Sequence, residues 1–231
     1  MRRSIVLLLA TVVLIQTAVS QSTYSSVSVP YNPPPPTYLR DVFTTPLDPK
    51  KYADVQGSPF LDDHWMLARL KVSKFKIIDS VSVRLNLHDR KLHFMSEKGE
   101  ELQAAIDFEQ IEIIDQSSKW KNSVFLPGYG NDKEAFFQLL LDGNKVKLVK
   151  KLIVNKWEIK ALNAETQKKF ELEERLFVFA NGVLVKANKN CSALMEAFGN
   201  SQKVIEFVST NGLKCNREDD LRKIVDYFNS L

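Results

Sequence analysis

From Trp65 to about Asn188 the apolar residues recur every second position, and beyond Asn188 they change to a helical period. In VSVRLNLHDRKLHFM (81–95), a two-residue turn at Asp89-Arg90 predicts Leu87 opposite Leu92 and Leu85 opposite Phe94. Val81, Val83, Leu85, Leu87, Leu92 and Phe94 then share one face. Ser82, Arg84, Asn86, His88, Lys91, His93 and Met95 share the other, so one face is expected to be core and the other solvent. In this register His93 lies across from Asn86 and His88 across from Lys91, both as surface residues.

In FFQLLLDGNKVKLV (136–149), a turn at Asp142-Gly143 with positive φ at both positions places Phe137, Leu139, Leu141, Val146 and Leu148 together, opposite Gln138, Lys145 and Lys147. In RLFVFANGVLVKA (175–187), a turn at Asn181-Gly182 puts Leu176, Val178, Ala180, Val183 and Val185 on one face. Phe177, Phe179 and Leu184 fall on the other. Both faces of this hairpin are apolar and each needs a cover; the sheet interior suits one and the helical segment that follows suits the other. Further strands are expected at Trp65 to Val72, Phe75 to Ile78, Leu102 to Phe108, Ile111 to Asp115, Val149 to Leu162 with a break, and Lys169 to Leu172. Lys150-Lys151 interrupts the alternation as a bulge would. The fold class is α+β, mainly β: an antiparallel meander of about nine or ten strands, curved into a barrel or a sandwich, with about three C-terminal helices packed against it.

The helices follow from period and punctuation. In NREDDLRKIVDYFNSL, Leu221, Ile224, Val225 and Phe228 form one stripe, with Asn216 as N-cap and acids in the first turn. SQKVIEFVSTNG reads as a helix from Gln202 with Val204, Ile205 and Val208 inward and Gly212 as its stop; CSALMEAFGN is a shorter one ended by Gly199. Two antiparallel helices of similar length return the chain to its start, which would bring Cys215 near Cys191. A bridge between these two cysteines, the only ones in the chain, and a pair of separate buried thiols are the alternatives.

The N-terminus changes the setting of this fold. MRRSIVLLLATVVLIQTAVSQ has a basic start, an apolar run from Ile5 to Ile15 and a small-residue cleavage pattern before Gln21, so residues 1–20 read as a secretory signal peptide cleaved near Ser20-Gln21. The expected location is the periplasm or the extracellular space, in soluble form. Residues 21–56 read as a Pro-rich extended segment holding Pro33 to Pro36, residues 57–188 as the antiparallel β domain, and residues 189–231 as the helical unit. Losing Arg2 and Arg3 takes the net charge from +4 to +2, too little to imply nucleic acid.

Candidate chemistry is sparse. There is no G-x-S-x-G elbow, glycine-rich phosphate loop, H-E-x-x-H or C-x-x-C, and no cofactor is implied. Asp62, Asp63 and His64 form a polar loop whose carboxylates and imidazole suit a metal in type, though adjacent residues seldom converge on one ion. KVKLVKKLIVNKWEIK (145–160) holds six lysines and one glutamate. Lys145, Lys147 and Lys151 are the residues a peripheral membrane contact would use, against the plainer reading as the solvent face of strands.

The stretches GSPFLDDHW, VSVRLNLHDRKLHF, FFQLLLDGNKVKLVKKL, RLFVFANGVLVK and DDLRKIVDYFNSL together resemble a family of exported proteins of unknown function abundant in Bacteroidota. The resemblance runs from about Gly57 onwards and implies a periplasmic or surface-exposed protein with a strand-rich body and C-terminal helices; it supplies no catalytic residues. The functional expectation is a non-enzymatic, envelope-associated binding or scaffold protein whose partner is an envelope protein. The alternative is a carrier holding a lipid or other apolar ligand in a β-rich cavity.

Overall fold

The computed structural model describes residues 43–46, 50–96, 98–104, 108–160 and 166–231. The expected signal peptide and the run Pro33 to Pro36 lie outside the described residues. Among the described residues twelve strands form one sheet: β1 (Phe43–Pro46), β2 (Val55–Gln56), β3 (Met66–Ser73), β4 (Lys76–Asn86), β5 (Lys91–Met95), β6 (Glu101–Ala104), β7 (Gln110–Ile113), β8 (Val124–Tyr129), β9 (Asp132–Asp142), β10 (Val146–Ile159), β11 (Gln167–Ala180) and β12 (Val183–Lys186). Three helices follow, α1 (Ser192–Ala197), α2 (Gln202–Thr210) and α3 (Glu218–Ser230). The spatial order is β1-β6-β5-β4-β3-β7-β8-β9-β10-β11-β12, with β2 added to β11 in parallel.

The expected meander is present, but the described strands do not close into a barrel: β1 and β12 end the order and do not pair with each other, and the strands run as one sheet. The sheet makes its core by curving instead. A single cluster unites Leu70, Val83 and Phe94 of β3 to β5 with Phe136, Leu152, Val154 and Phe170 of β9 to β11. The break expected in the run from Val149 does not occur as far as Ile159, since β10 and β11 pair without interruption from Val146↔Ala180 to Ile159↔Gln167; Leu162 lies outside the described residues.

The first hairpin keeps its faces and changes its register. Leu85 pairs with Leu92 and Val83 with Phe94, two residues from the expected register, because a four-residue connection, Leu87 to Arg90, replaces the two-residue turn. A shift of two preserves facing. All six expected core residues are therefore buried, none above 4% exposed.

The second hairpin departs further. Leu148 pairs with Leu141, but Val149 pairs with Leu139, leaving Leu140 as the extra residue of a bulge on β9. The bulge lies here and not at Lys150-Lys151. It reverses the facing of everything beyond it. Val146 and Leu148 consequently join the helices, while Phe137, Leu139 and Val149 form a separate cluster on the opposite face. The carbonyl of Leu140, outside the ladder, accepts a hydrogen bond from Arg222 of α3 at 2.6 Å.

The third hairpin matches its expected register, Ala180↔Val183 through Phe177↔Lys186, around Asn181 and Gly182 with φ of 51° and 82°. Val178, Ala180 and Val185 meet the helices. The other face is covered by the tip of the β8–β9 hairpin: the Tyr129 and Phe179 rings are 4.7 Å apart, and Gly130 lies against Phe179 and Leu184. Val183, expected inside, is 54% exposed at the turn.

The helices close on Val146, Leu148, Val178 and Ala180 with Leu194, Val204, Leu221, Ile224 and Val225. Ile205, expected inward, is 37% exposed. Arg217 replaces Asn216 as the residue preceding α3, without a side-chain cap. Cys191, just before α1, is bonded to Cys215, between α2 and α3, with a Cα–Cα distance of 5.4 Å. Cys215 is fully buried among the helical residues. Among the described residues no helix is long and apolar enough to cross a membrane, and a disulfide suits an oxidising compartment.

Candidate functional site

Two features draw together residues far apart in sequence. The first lies on the face of β4 and β5 expected to meet solvent. The segment after Gly57 runs against the end of β4: the Leu87 N–H donates to the Pro59 carbonyl at 2.8 Å, the Leu61 N–H to Leu85 at 2.9 Å, and Phe60 bridges Asn86. Leu61 enters the core at 5% exposure, and Phe60 is left over the polar face. The Arg84 guanidinium sits between the Phe60 ring, 4.1 Å away, and the Trp65 ring, 4.5 Å away. It also donates to Glu101 Oε2 at 2.6 Å, while His93 Nδ1 is 2.7 Å from Glu101 Oε1.

This cover overturns the surface assignment of His93, which is 2% exposed across from Arg84, with Ser82 and Asn86 also buried. Burial acts to raise the Glu101 carboxyl, but the hydrogen bonds from His93 and Arg84 outweigh it and hold it below the ordinary carboxylate range. An ionised carboxylate only accepts, so Nδ1 of His93 carries the proton. Its Nε2, the Nε of Arg84 and the Oγ of Ser82 are buried without a partner among the described residues. A general base must reach the proton it takes. At this depth His93 reaches nothing outside, and the cluster serves as a brace that ties the Gly57 to Trp65 segment to the sheet.

The second feature is an open groove of about 750 Å³ between the β4–β5 connection and β10–β11. His88 and Arg90 form one side, and Ile153 to Trp157 with Glu171 to Glu173 and Arg175 form the other. β9 stops pairing with β10 at Leu152, so beyond it β10 and β11 continue as a ribbon without β9, joined by β2 at Lys168 and Lys169. His88, expected as a free surface residue, donates from Nδ1 to the Val154 carbonyl at 3.0 Å and packs its ring 5.0 Å from Phe170. Asp89 secures the connection by accepting hydrogen bonds from Lys51 and Tyr52. Burial acts to raise its carboxyl, and those two bonds pull it down to a net lowering. Trp157 and Leu172 are 55% and 45% exposed, while Arg90, Glu171, Glu173 and Arg175 supply both charges.

The remaining candidates are not assembled into either feature. His64 Nδ1 is 3.0 Å from Asp62 Oδ1 and its side chain is 92% exposed, whereas Asp63 turns to the Ser58 hydroxyl. Asp62 is also 3.5 Å from Lys119. These contacts order the loop and direct the two carboxylates to different partners. Lys147 pairs with Asp142 and Lys151 with Asp132, and the Lys145 ammonium lies 5.7 Å from the Phe228 ring centroid. The three lysines are thus engaged within the molecule.

The buried brace escaped sequence reasoning because its cover comes from another part of the chain. The available signal was the apolar content of Pro59-Phe60-Leu61 and Trp65, which in a loop needs a surface to pack on. Comparisons with protein-family models, curated proteins and solved structures return no match.

Proposed function

We propose that the protein is an exported, non-enzymatic binding or scaffold module of the cell envelope that meets a partner protein at the groove beside the β10–β11 ribbon. The observation that carries this reading is the set of large apolar side chains buried inside the sheet. Phe94, Phe125, Phe136, Leu70, Ile78, Leu85 and Ile111 occupy the concave side of the sheet at 2% exposure or less. A carrier needs that volume for its ligand. The open volume beside the ribbon instead mixes an exposed tryptophan and leucine with charges of both signs, which suits a polypeptide surface better than an acyl chain.

Native mass spectrometry of the protein isolated from its own host tests the reading. The expected result is a lipid-free chain, alone or with a second polypeptide that is lost in Trp157→Ala. A stoichiometric bound lipid would overturn it and favour the carrier.

A further inference from the structure

The tip of the β3–β4 hairpin holds the most exposed large apolar side chain among the described residues, Phe75. Ser73 pairs with Lys76, so Lys74 and Phe75 form the turn. β7 accompanies β3 only as far as Lys71, and the β4–β5 pairing begins at Val83. The tip therefore extends as a two-stranded ribbon beyond both lateral partners. Phe75 is 91% exposed and Ile77 54% exposed. Neither Lys74 nor Phe75 has positive φ, so the turn imposes no demand that an ordinary polar residue would fail to meet. The ammonium of Lys74 lies 5.7 Å from the centroid of the Phe75 ring.

The charges around the tip divide into two sets. Further down the hairpin, Lys71 pairs with Glu109, and Arg69 with Asp79 and Glu112. Lys74 and Lys76, which flank Phe75, are exposed and have no carboxylate partner among the described residues. Two uncommitted ammoniums thus frame one exposed ring and one exposed aliphatic side chain.

We infer that this tip docks on an anionic lipid surface, with Phe75 and Ile77 entering the headgroup boundary and Lys74 and Lys76 meeting lipid phosphates. A protein partner fits less well, because a stable protein interface covers about 800 Å² per partner and the tip offers two apolar side chains. A fluid bilayer accepts a small wedge of this kind without a preformed pocket. The inference deepens the envelope reading and rests on it. Its test is independent of the groove, because vesicle flotation and native mass spectrometry of the bound partner can fail separately.

The experiment is flotation of the purified chain with vesicles of phosphatidylglycerol and phosphatidylcholine, and with phosphatidylcholine alone. Retention is expected on the anionic vesicles and should fall as salt rises. Phe75→Ser with Ile77→Ser should reduce it at least tenfold, and Lys74→Glu with Lys76→Glu should do the same. Lys203→Glu with Lys223→Glu, an equal charge change at exposed helical positions, should leave it within twofold. Near-UV circular dichroism identical to the parent verifies that each variant is folded. Absence of retention by the parent, or equal losses in the tip and helix charge variants, would overturn the inference. So would a tip-dependent dimer in sedimentation that forms without lipid, which would assign the tip to a second copy of the chain.

Discussion

Replacing Gly143 by alanine is expected to destabilise the protein through a residue 86 positions away, Asn229. Gly143 was expected to serve a two-residue turn through positive φ, yet it is not among the glycines with positive φ. Its role is space. Asn229, in the last turn of α3, fills the β9–β10 connection: its Oδ1 accepts from the Lys145 N–H at 2.9 Å and the Val146 N–H at 3.1 Å, and its Nδ2 donates to the Val146 carbonyl at 3.0 Å. A methyl group on Gly143 would overlap Nδ2, Cγ and Oδ1 of Asn229. The side chain would have to leave, taking three interelement hydrogen bonds with it. At about 1 kcal/mol each, with the exposed Lys145 N–H recovering its bond from water, the loss is about 2 to 3 kcal/mol. Val146 is 3% exposed, so its groups do not recover theirs. Asn229→Ala should cost a similar amount, and the double variant should cost little more than either single one. Urea unfolding with the disulfide intact measures all three. A cost for Gly143→Ala below about 0.5 kcal/mol, or additive costs in the double variant, would refute the reasoning.

Three further outcomes are expected. Reducing the Cys191–Cys215 bond, which closes a sequence separation of 24, should lower stability by about 3 to 4 kcal/mol in the chain-entropy model, read as a lower melting temperature with reductant. Burial acts to raise the carboxyls of Glu101, Asp89 and Glu218, but their hydrogen-bonded cations or donors leave all three lowered in the folded chain. Their stabilisation is therefore complete above the ordinary carboxylate range near about 4 and is lost as the pH falls through the folded values; urea midpoints across that window should drop, less steeply in Glu101→Gln. Arg84→Lys should release the Gly57 to Trp65 segment, because an ammonium cannot stack flat between Phe60 and Trp65 while bonding Glu101; faster hydrogen exchange at Leu61 against an unchanged rate at Leu221 is the readout.

What could be read in advance depended on how far each feature reaches along the chain. The Asn181-Gly182 turn states its own geometry, because the two residues that tolerate positive φ sit where the strands must reverse, and its register follows. The β4–β5 hairpin was legible in its faces but not its turn: a two-residue slip keeps Leu85 and Leu92 on the core side, so the apolar pattern cannot detect it. The bulge at Leu140 was invisible for the opposite reason. In Phe136-Phe137-Gln138-Leu139-Leu140-Leu141 nearly every position is apolar, and a change of facing leaves no polar residue stranded to mark it.

The same limit explains the brace and the groove. Alternation says which residues share a face; it does not say whether another segment covers that face. His93 and Ser82 occupy positions that would be solvated in an isolated hairpin, and they are buried because Phe60 and Trp65 arrive from the preceding segment and stack on Arg84. The cover then determines the chemistry. With Phe60 edge-on to the His93 ring at 5.4 Å and Glu101 holding Nδ1, the imidazole is fixed beneath an aromatic lid. His88, five residues earlier and of the same type, has no such lid; it lines the open groove and binds the edge of β10 through the Val154 carbonyl. Two histidines on one hairpin thus part company through what packs over them, one into the body of the protein and one to the rim of the open groove.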